Sequence, residues 1–367
     1  MGHRALGAPP SERAARLLKE LSTTKEAAGF PADEGAERLR ELAWGYIPAA
    51  LIGVIVELGI PDLLADGMMP ASEIAAASHA NEDALYRMLR ALASFGILTE
   101  GNGQCFALTS TGRRLRSDVP DSVRGYIRWA TDPFLFRNYA DLMYSAKTGE
   151  PAVAQVFGGS LFSHLQADPE LSRIFNEGMT SFSQAVSRAV LEAYDFSGVK
   201  VIADVGGGEG ALLAAILQKY PAMQGLLLEQ EHVLPGARKR LEALGLADRC
   251  RCSPVDFFKS VPGGADAYLM KSIIHDWDDR RAGIILAKCR EALRSVEDGK
   301  LLLVEATIPL GNDPHVAKIY DMQMLVLAGG RERTHDEFQR LLARGGFRLT
   351  AVIPTRSFVS VVEAVPQ

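Results

Sequence analysis

Five short stretches of this sequence bring together residue types that can do chemistry: Asp204-Val205-Gly206-Gly207-Gly208-Glu209-Gly210, the lone Glu229, Asp256-Phe257-Phe258, Lys271 through His275-Asp276-Trp277-Asp278-Asp279, and Gly329-Gly330-Arg331-Glu332-Arg333-Thr334. Glycines after a strand let bare backbone N–H groups approach a ligand at the positive end of a helix. An acid at the end of the next strand, here Glu229, stands where ribose hydroxyls are held. Together they predict an adenosine-bearing cofactor. The loop alone does not say which, because Gly206, Gly208 and Ala211 also satisfy the dinucleotide spacing G-x-G-x-x-G/A. Asp204 decides between them. A carboxylate there suits a ligand's ammonium or sulfonium-bearing end and is poorly placed beside a pyrophosphate, so charge favours S-adenosylmethionine.

Asp256 and Phe257 close the third strand on the same side, offering an acceptor for an adenine amino group and a ring for its face. Asp256 reads equally well as a loop-starting cap. His275 lies just past the fourth strand, on the edge where doubly wound sheets bind ligands. A lone histidine is more often structural, and Asp278 or Asp279 reads as a helix cap. Glu332, between two arginines, reads from the residues alone as part of a solvated charge cluster.

The elements that must position these groups follow from periodicity. Strands are expected near 200–205, 225–229, 251–257, 267–271, 301–306, 348–353 and 358–363, with helices over 210–219, 233–244, 279–293, 315–327 and 336–344. This is an α/β pattern, a Rossmann-like parallel sheet of seven strands covered on both faces. Only Pro354–Ser357 separates the last two strands, so the final one must run antiparallel. Upstream, Ser72 and Asn81 look like N-caps, Leu85, Met88, Leu89 and Leu92 form a helical stripe, and Asn102-Gly103 marks a hairpin between 97–99 and 105–108. Helix, turn, helix and hairpin make a winged helix.

The chain divides into an extension over 1–36 with a helix from Ser11 to Ala28, a winged-helix domain over 37–118, a helical region over 119–198 and a cofactor domain over 199–367. Residues 37–118 hold seven Arg and no Lys against ten Asp and Glu, a net of −3. A phosphate-binding face should be basic, so scaffolding or dimerisation is the better reading of the wing, with no nucleic-acid partner. Aromatics and methionines such as Phe175 and Met179 in the helical region suit an apolar pocket, though such stripes are more often plain core. The four cysteines lack metal-site spacing. No apolar run reaches membrane-span length and no secretory signal is evident, which makes a cytoplasmic protein without a membrane partner the expectation.

Taken in order, the runs at 204–210, 256–258, 275–279 and 329–334 resemble the cation-independent O-methyltransferases, which include plant caffeate and flavonoid enzymes, acetylserotonin methyltransferase, and bacterial enzymes of polyketide and phenazine metabolism. The resemblance covers roughly residues 37–365. It implies a homodimer built through the winged-helix region and S-adenosylmethionine as methyl donor with no metal. It assigns Gly206, Gly208 and Gly210 to the methionine part, beside the Asp204 already read from its charge, Glu229 to the ribose, Asp256 and Phe257 to the adenine, and Lys271 to a further cofactor contact. His275 takes the place of the catalytic base, with Glu305, Glu332 and Asp276 around it, and Phe175, Met179 and Met322 fall in the acceptor pocket. The acceptor it implies is a hydroxyl, expected to be phenolic, on a small aromatic or polyketide-type secondary metabolite.

Three positions depart from that pattern: Glu229-Gln230-Glu231 stands for the usual Asp-Leu-Pro, Val255 for a glycine, and Gln323 for an asparagine. None removes a catalytic group. The rival readings are a relative that keeps the cofactor but has changed its chemistry, as a hydroxylase, a decarboxylase or an N- or C-methyltransferase, and a non-enzymatic winged-helix regulator. His275, Glu305 and Glu332 speak against the first, and the acidic wing against the second.

Overall fold

A computed structural model describes residues 34–367, which form two compact units, one of residues 34–140 and 162–182 and the other of residues 141–161 and 183–367. The expected helix Ser11–Ala28 lies outside the described residues, and residues 34–36, counted above with the extension, open the helix Glu34–Ala43.

The first unit is helical with a small sheet. Leu85, Leu89 and Leu92 of the helix Glu82–Ser94 are fully buried against Ile55, Ile60, Ile74 and Phe106, as their spacing requires. Asn81 caps that helix by accepting from the Ala84 N–H at 3.0 Å, whereas Ser72 caps nothing: the helix Ala71–Ala77 starts behind Pro70, and Ser72 falls inside its first turn. Strands β2 (Leu98–Gly101) and β3 (Cys105–Leu108) form the expected hairpin, its turn carried by left-handed Gly103 and Gln104. A two-residue strand β1 (Met69–Pro70) adds to β3 and was not expected.

The reading that no apolar run reaches span length needs correcting in this unit. Gly35–Glu57 is helical enough, long enough and apolar enough to cross a membrane by length and composition, and only 17% of its most apolar stretch is buried. Arg40 and Glu41 stand just before the uncharged run Leu42–Val56. The chain breaks at Trp44-Gly45 between two helices, and Leu42, Trp44 and Tyr46 stand more than half exposed.

The second unit is built on β4 (Val201–Val205), β5 (Gln224–Glu229), β6 (Cys250–Pro254), β7 (Ala267–Lys271), β8 (Lys300–Ile308), β10 (Phe347–Pro354) and β11 (Val359–Pro366), in the order β10-β11-β8-β7-β4-β5-β6. All pairings from β6 through β8 are parallel, and β11 is antiparallel to both neighbours. The reversed strand therefore lies inside the sheet, with β10 at the edge. An eighth strand, β9 (Arg333–Thr334), is absent from the periodicity and pairs in parallel with the end of β8 at Thr307–Ile308. Helices Ala211–Lys219, Leu234–Ala243, Asp279–Ala292, Val316–Leu327 and His335–Arg344 match their expected spans within two residues. The central strands are near-continuous runs of buried residues, from Ile202 to Val205 and Leu301 to Val304, as a sheet covered on both faces demands. Strand order reverses at β4, which leaves a crevice at the carboxyl ends of β4, β5 and β7.

Candidate active site

At the first of those strand ends the backbone does the shaping. Gly206, Gly208 and Gly210 have φ of 71°, 58° and 74°, a left-handed conformation that costs a residue with a Cβ about 1–2 kcal/mol. Gly210 is the N-cap of Ala211–Lys219. Gly207, which sequence reasoning did not single out, has no room either: a Cβ there would lie 2.5 Å from the Asp204 carboxyl. At Gly208 nothing lies within 4 Å, so the loop is open where a ligand would meet it.

Two acids flank the loop in different states. Glu229 Oε2 accepts from the Gly208 N–H at 2.9 Å and Oε1 from Gln230 N–H at 2.7 Å, so the carboxylate ties the loop to β5 while keeping lone pairs outward. Asp204 is 1% exposed, and its Oδ1 has no hydrogen-bond partner among the described residues. Burial pushes its carboxyl up to about 7, with Lys271 pulling the other way and Glu229 adding to the rise. A buried, unpartnered carboxylate oxygen is costly unless something cationic meets it. Lys271, at the end of β7, donates to Ser183 Oγ at 3.1 Å, and burial depresses its ammonium against the opposing pull of Asp204 and Glu305.

The adenine candidates sit in the loop after β6, which ends at Pro254 rather than at Phe257. Asp256 is exposed and does serve as a turn cap, accepting from Phe258 N–H at 3.1 Å and pairing with Lys259 at 3.0 Å. Phe257 reaches back toward the glycines: a Cβ on Gly206 would lie 3.6 Å from its ring.

The acid–base group is built from three separate segments. His275 lies in a one-turn 3₁₀ helix, Ile274–Asp276, after Ser272, whose φ of 54° is strained for a non-glycine. Glu332 Oε1 lies 2.8 Å from His275 Nδ1. Glu305 in β8 accepts from the N–H groups of Ile273 and Ile274 at 3.0 and 2.9 Å through one oxygen, and its other oxygen stands 3.7 Å from Nδ1. The two glutamates differ in kind, one bonded to the ring and the other to the backbone beneath it. Asp276 Oδ1 is 3.6 Å from Nε2, beyond hydrogen-bond range. Burial works against the charged imidazolium, but Glu305, Glu332 and Asp276 outweigh it and raise the ring to about 10. Asp276 is itself pushed up to about 6, chiefly by burial.

The expected solvated cluster around Glu332 is not there. Glu332 is 4% and Arg333 1% exposed. Asp321, on Val316–Leu327, accepts the Glu332 N–H at 2.9 Å and was not foreseen; nothing in its local sequence marks it. Gly330 was quoted only as part of a motif, yet a Cβ there would meet His275 O at 2.0 Å and the Asp276 and Trp277 backbone within 2.7 Å. Asp278 is the cap of Asp279–Ala292, accepting from Arg281 N–H at 2.7 Å. Met322 is 38% exposed on Val316–Leu327. Phe175 and Met179 belong to the other unit, on Pro169–Ala193, where Phe175 meets the ring of Trp129 edge-on at 5.1 Å. His275, Glu305 and Glu332 also offer ligand atoms within 4.8 Å of one another, a set that fits one cation.

Residues 137–348 match the O-methyltransferase domain family and residues 41–118 the O-methyltransferase dimerisation domain family. The chain is similar to phenazine O-methyltransferase PhzM of Lysobacter antibioticus, 42% identical over 328 residues covering 89% of this chain and 95% of that one. It is 37% identical to the O-demethylpuromycin-O-methyltransferase of Streptomyces alboniger over 98% of this chain and 96% of that one. Among solved structures it superposes on CalO1, a methyltransferase in calicheamicin biosynthesis in its SAH-bound form, with a TM-score of 0.82 and 36% identity over 92% of this chain and all of that one.

Proposed function

The chain belongs to the O-methyltransferase family and is an S-adenosylmethionine-dependent enzyme, and on that premise we propose that it methylates a phenolic hydroxyl of a small aromatic or polyketide-type metabolite with His275 as general base. The observation that carries the base assignment is the 2.8 Å contact between His275 Nδ1 and Glu332. With Nδ1–H donated to that carboxylate, the lone pair is left on Nε2, and Glu332 stabilises the imidazolium that forms, as the acid does in a serine-protease triad.

The residues present fit the cofactor. The unpartnered Asp204 oxygen suits its ammonium, the open glycine loop its methionine part, Glu229 its ribose hydroxyls, and Asp256 with Phe257 its adenine, while the charge of Lys271 favours the ionised form of Asp204. When bound, the cofactor supplies a methyl on a positively charged sulfur, which needs no metal to activate it. His275 Nε2 takes the hydroxyl proton as the oxygen–carbon bond forms and the carbon–sulfur bond breaks. A phenol near ~10 loses its proton only uphill to an ordinary histidine near ~6.5. Three acids that raise His275 bring the two close to balance. Met322 takes the part of a residue that helps to select the acceptor.

A second copy of this chain is the proposed cover for Leu42, Trp44 and Tyr46, exposed apolar side chains in or beside the residues that match the dimerisation family. A membrane is the competing occupant of Gly35–Glu57, and light scattering in detergent-free buffer distinguishes them: a dimer supports the first. The acidic net charge of 37–118 argues against nucleic acid, and a cytoplasmic address goes with this reading.

Incubating the enzyme with S-adenosylmethionine and a panel of phenols, catechols and polyketide hydroxyls, read by mass spectrometry, is expected to give a product heavier by one methylene. His275→Ala should then lower turnover roughly 10²–10⁴-fold. An alanine variant as fast as the parent would sink the base assignment.

A further inference from the structure

We propose that Arg333 is a positioning residue for methyl transfer, holding the turn that carries His275 from both sides; this rests on the reading of His275 as the base. Its guanidinium is 1% exposed and uses its whole fork. Nη1 donates to Ile274 O at 3.1 Å and Arg331 O at 3.2 Å, Nη2 to Trp277 O and Asp279 Oδ1, both at 2.9 Å, and Nε to Asp279 Oδ1 at 3.1 Å. The carbonyls before and after His275-Asp276 are thus tied to one rigid plane.

That turn has little of its own to hold it. It is one 3₁₀ turn whose internal bonds, Asp276 N–H to Ile273 O and Trp277 N–H to Ile274 O, are both long at 3.3 Å, and it follows the strained Ser272. Support comes from outside, and much of it from one segment: Gly330 lies flat against residues 275–277, Arg331 N–H donates to His275 O at 2.8 Å, Glu332 meets the ring, and Arg333 reaches underneath. Because Glu332 and Arg333 are adjacent, the same short segment fixes both the ring and the backbone that bears it. A buried guanidinium whose only acid partner among the described residues is the 40% exposed Asp279 is a poor device for stability alone, since an apolar residue of similar volume avoids the desolvation. What it provides is direction. A lysine would keep the charge but could not reach Ile274, Trp277 and Asp279 together, because its donors leave from a single point.

The test uses the full-length protein with histidine rings labelled for NMR, and follows the His275 resonance, assigned with His275→Gln, against pH. In Arg333→Lys we expect His275 to titrate lower than in the parent, toward the ordinary histidine range, as its contact with Glu332 loosens. Asp279→Ala, a change at a partly exposed site, should move it the same way by less. Calorimetry should find S-adenosylmethionine affinity within about twofold of the parent in both, while turnover of any phenol the parent methylates falls roughly tenfold to a hundredfold in Arg333→Lys. An unmoved His275 titration in both variants would overturn the proposal. So would a loss of cofactor affinity equal to the loss of turnover, which marks a general structural role. If instead His275→Ala methylates like the parent while the titration still shifts in Arg333→Lys, the base reading fails and the clamp stands.

Discussion

The two halves of the site are made in opposite ways. At the cofactor end the chain folds back on itself locally: four glycines, the helix they open and Glu229 at the next strand end come from one β-α-β passage, and bare backbone forms much of the surface. At the acid–base end three segments meet, β8 with Glu305, the turn with His275 and the Gly330–Arg333 run with Glu332, and buried side chains do the work. The first arrangement tolerates change in what surrounds it. The second depends on placement at every member, because each oxygen and nitrogen is held by a residue far away in sequence.

Substitutions should separate the halves. Gly330→Ala attacks placement without touching a functional group, since its Cβ has nowhere to go but into the His275 carbonyl. Turnover is expected to fall by about 10²-fold, the cost of roughly an ångström of displacement, with cofactor affinity unchanged by calorimetry. A change in affinity instead would mean the halves are not independent. Asp204→Asn should do the reverse. Losing a charge-assisted contact worth ~1.5–3 kcal/mol raises the dissociation constant about tenfold to a hundredfold, while turnover at saturating cofactor is kept. Its pH dependence has a definite sign: the ionised carboxylate binds the cation, and burial holds Asp204 up to about 7, so parent affinity should climb as pH rises through that value and the asparagine variant should stay flat. Gly208→Ala is the mildest. There is space for the Cβ but not for the φ of 58°, and strain of ~1 kcal/mol should weaken cofactor binding only about fivefold. A larger loss would show that the ligand fills that space.

The same contrast decides what could be read from sequence. The glycine loop, Glu229 and the strands that carry them are legible because each depends on neighbours within one unit of chain. His275 is legible by its place past β7. Glu332 is not, from residues alone: flanked by Arg331 and Arg333 it looks solvated, and only the long-range demand of the 274–277 carbonyls for donors draws Arg333 inside and Glu332 with it. Family resemblance supplied what local pattern could not. Strands β1 and β9 escaped because two residues carry no period, and Ser72 misled because Pro70 already starts the helix. Asp321 and Gly330 left no trace, since an acid on a helix and a second glycine in a turn have many uses.

The most direct test of His275 as a base raised by its acids is the pH dependence of kcat/KM at saturating cofactor, measured with one acceptor on the parent and on Glu332→Gln. Only the neutral ring accepts a proton, so activity should rise with pH through the His275 ionisation. Removing one of the acids that raise it should move that rise to lower pH in the variant and lower the plateau. An identical rise and plateau in both enzymes would contradict the assignment.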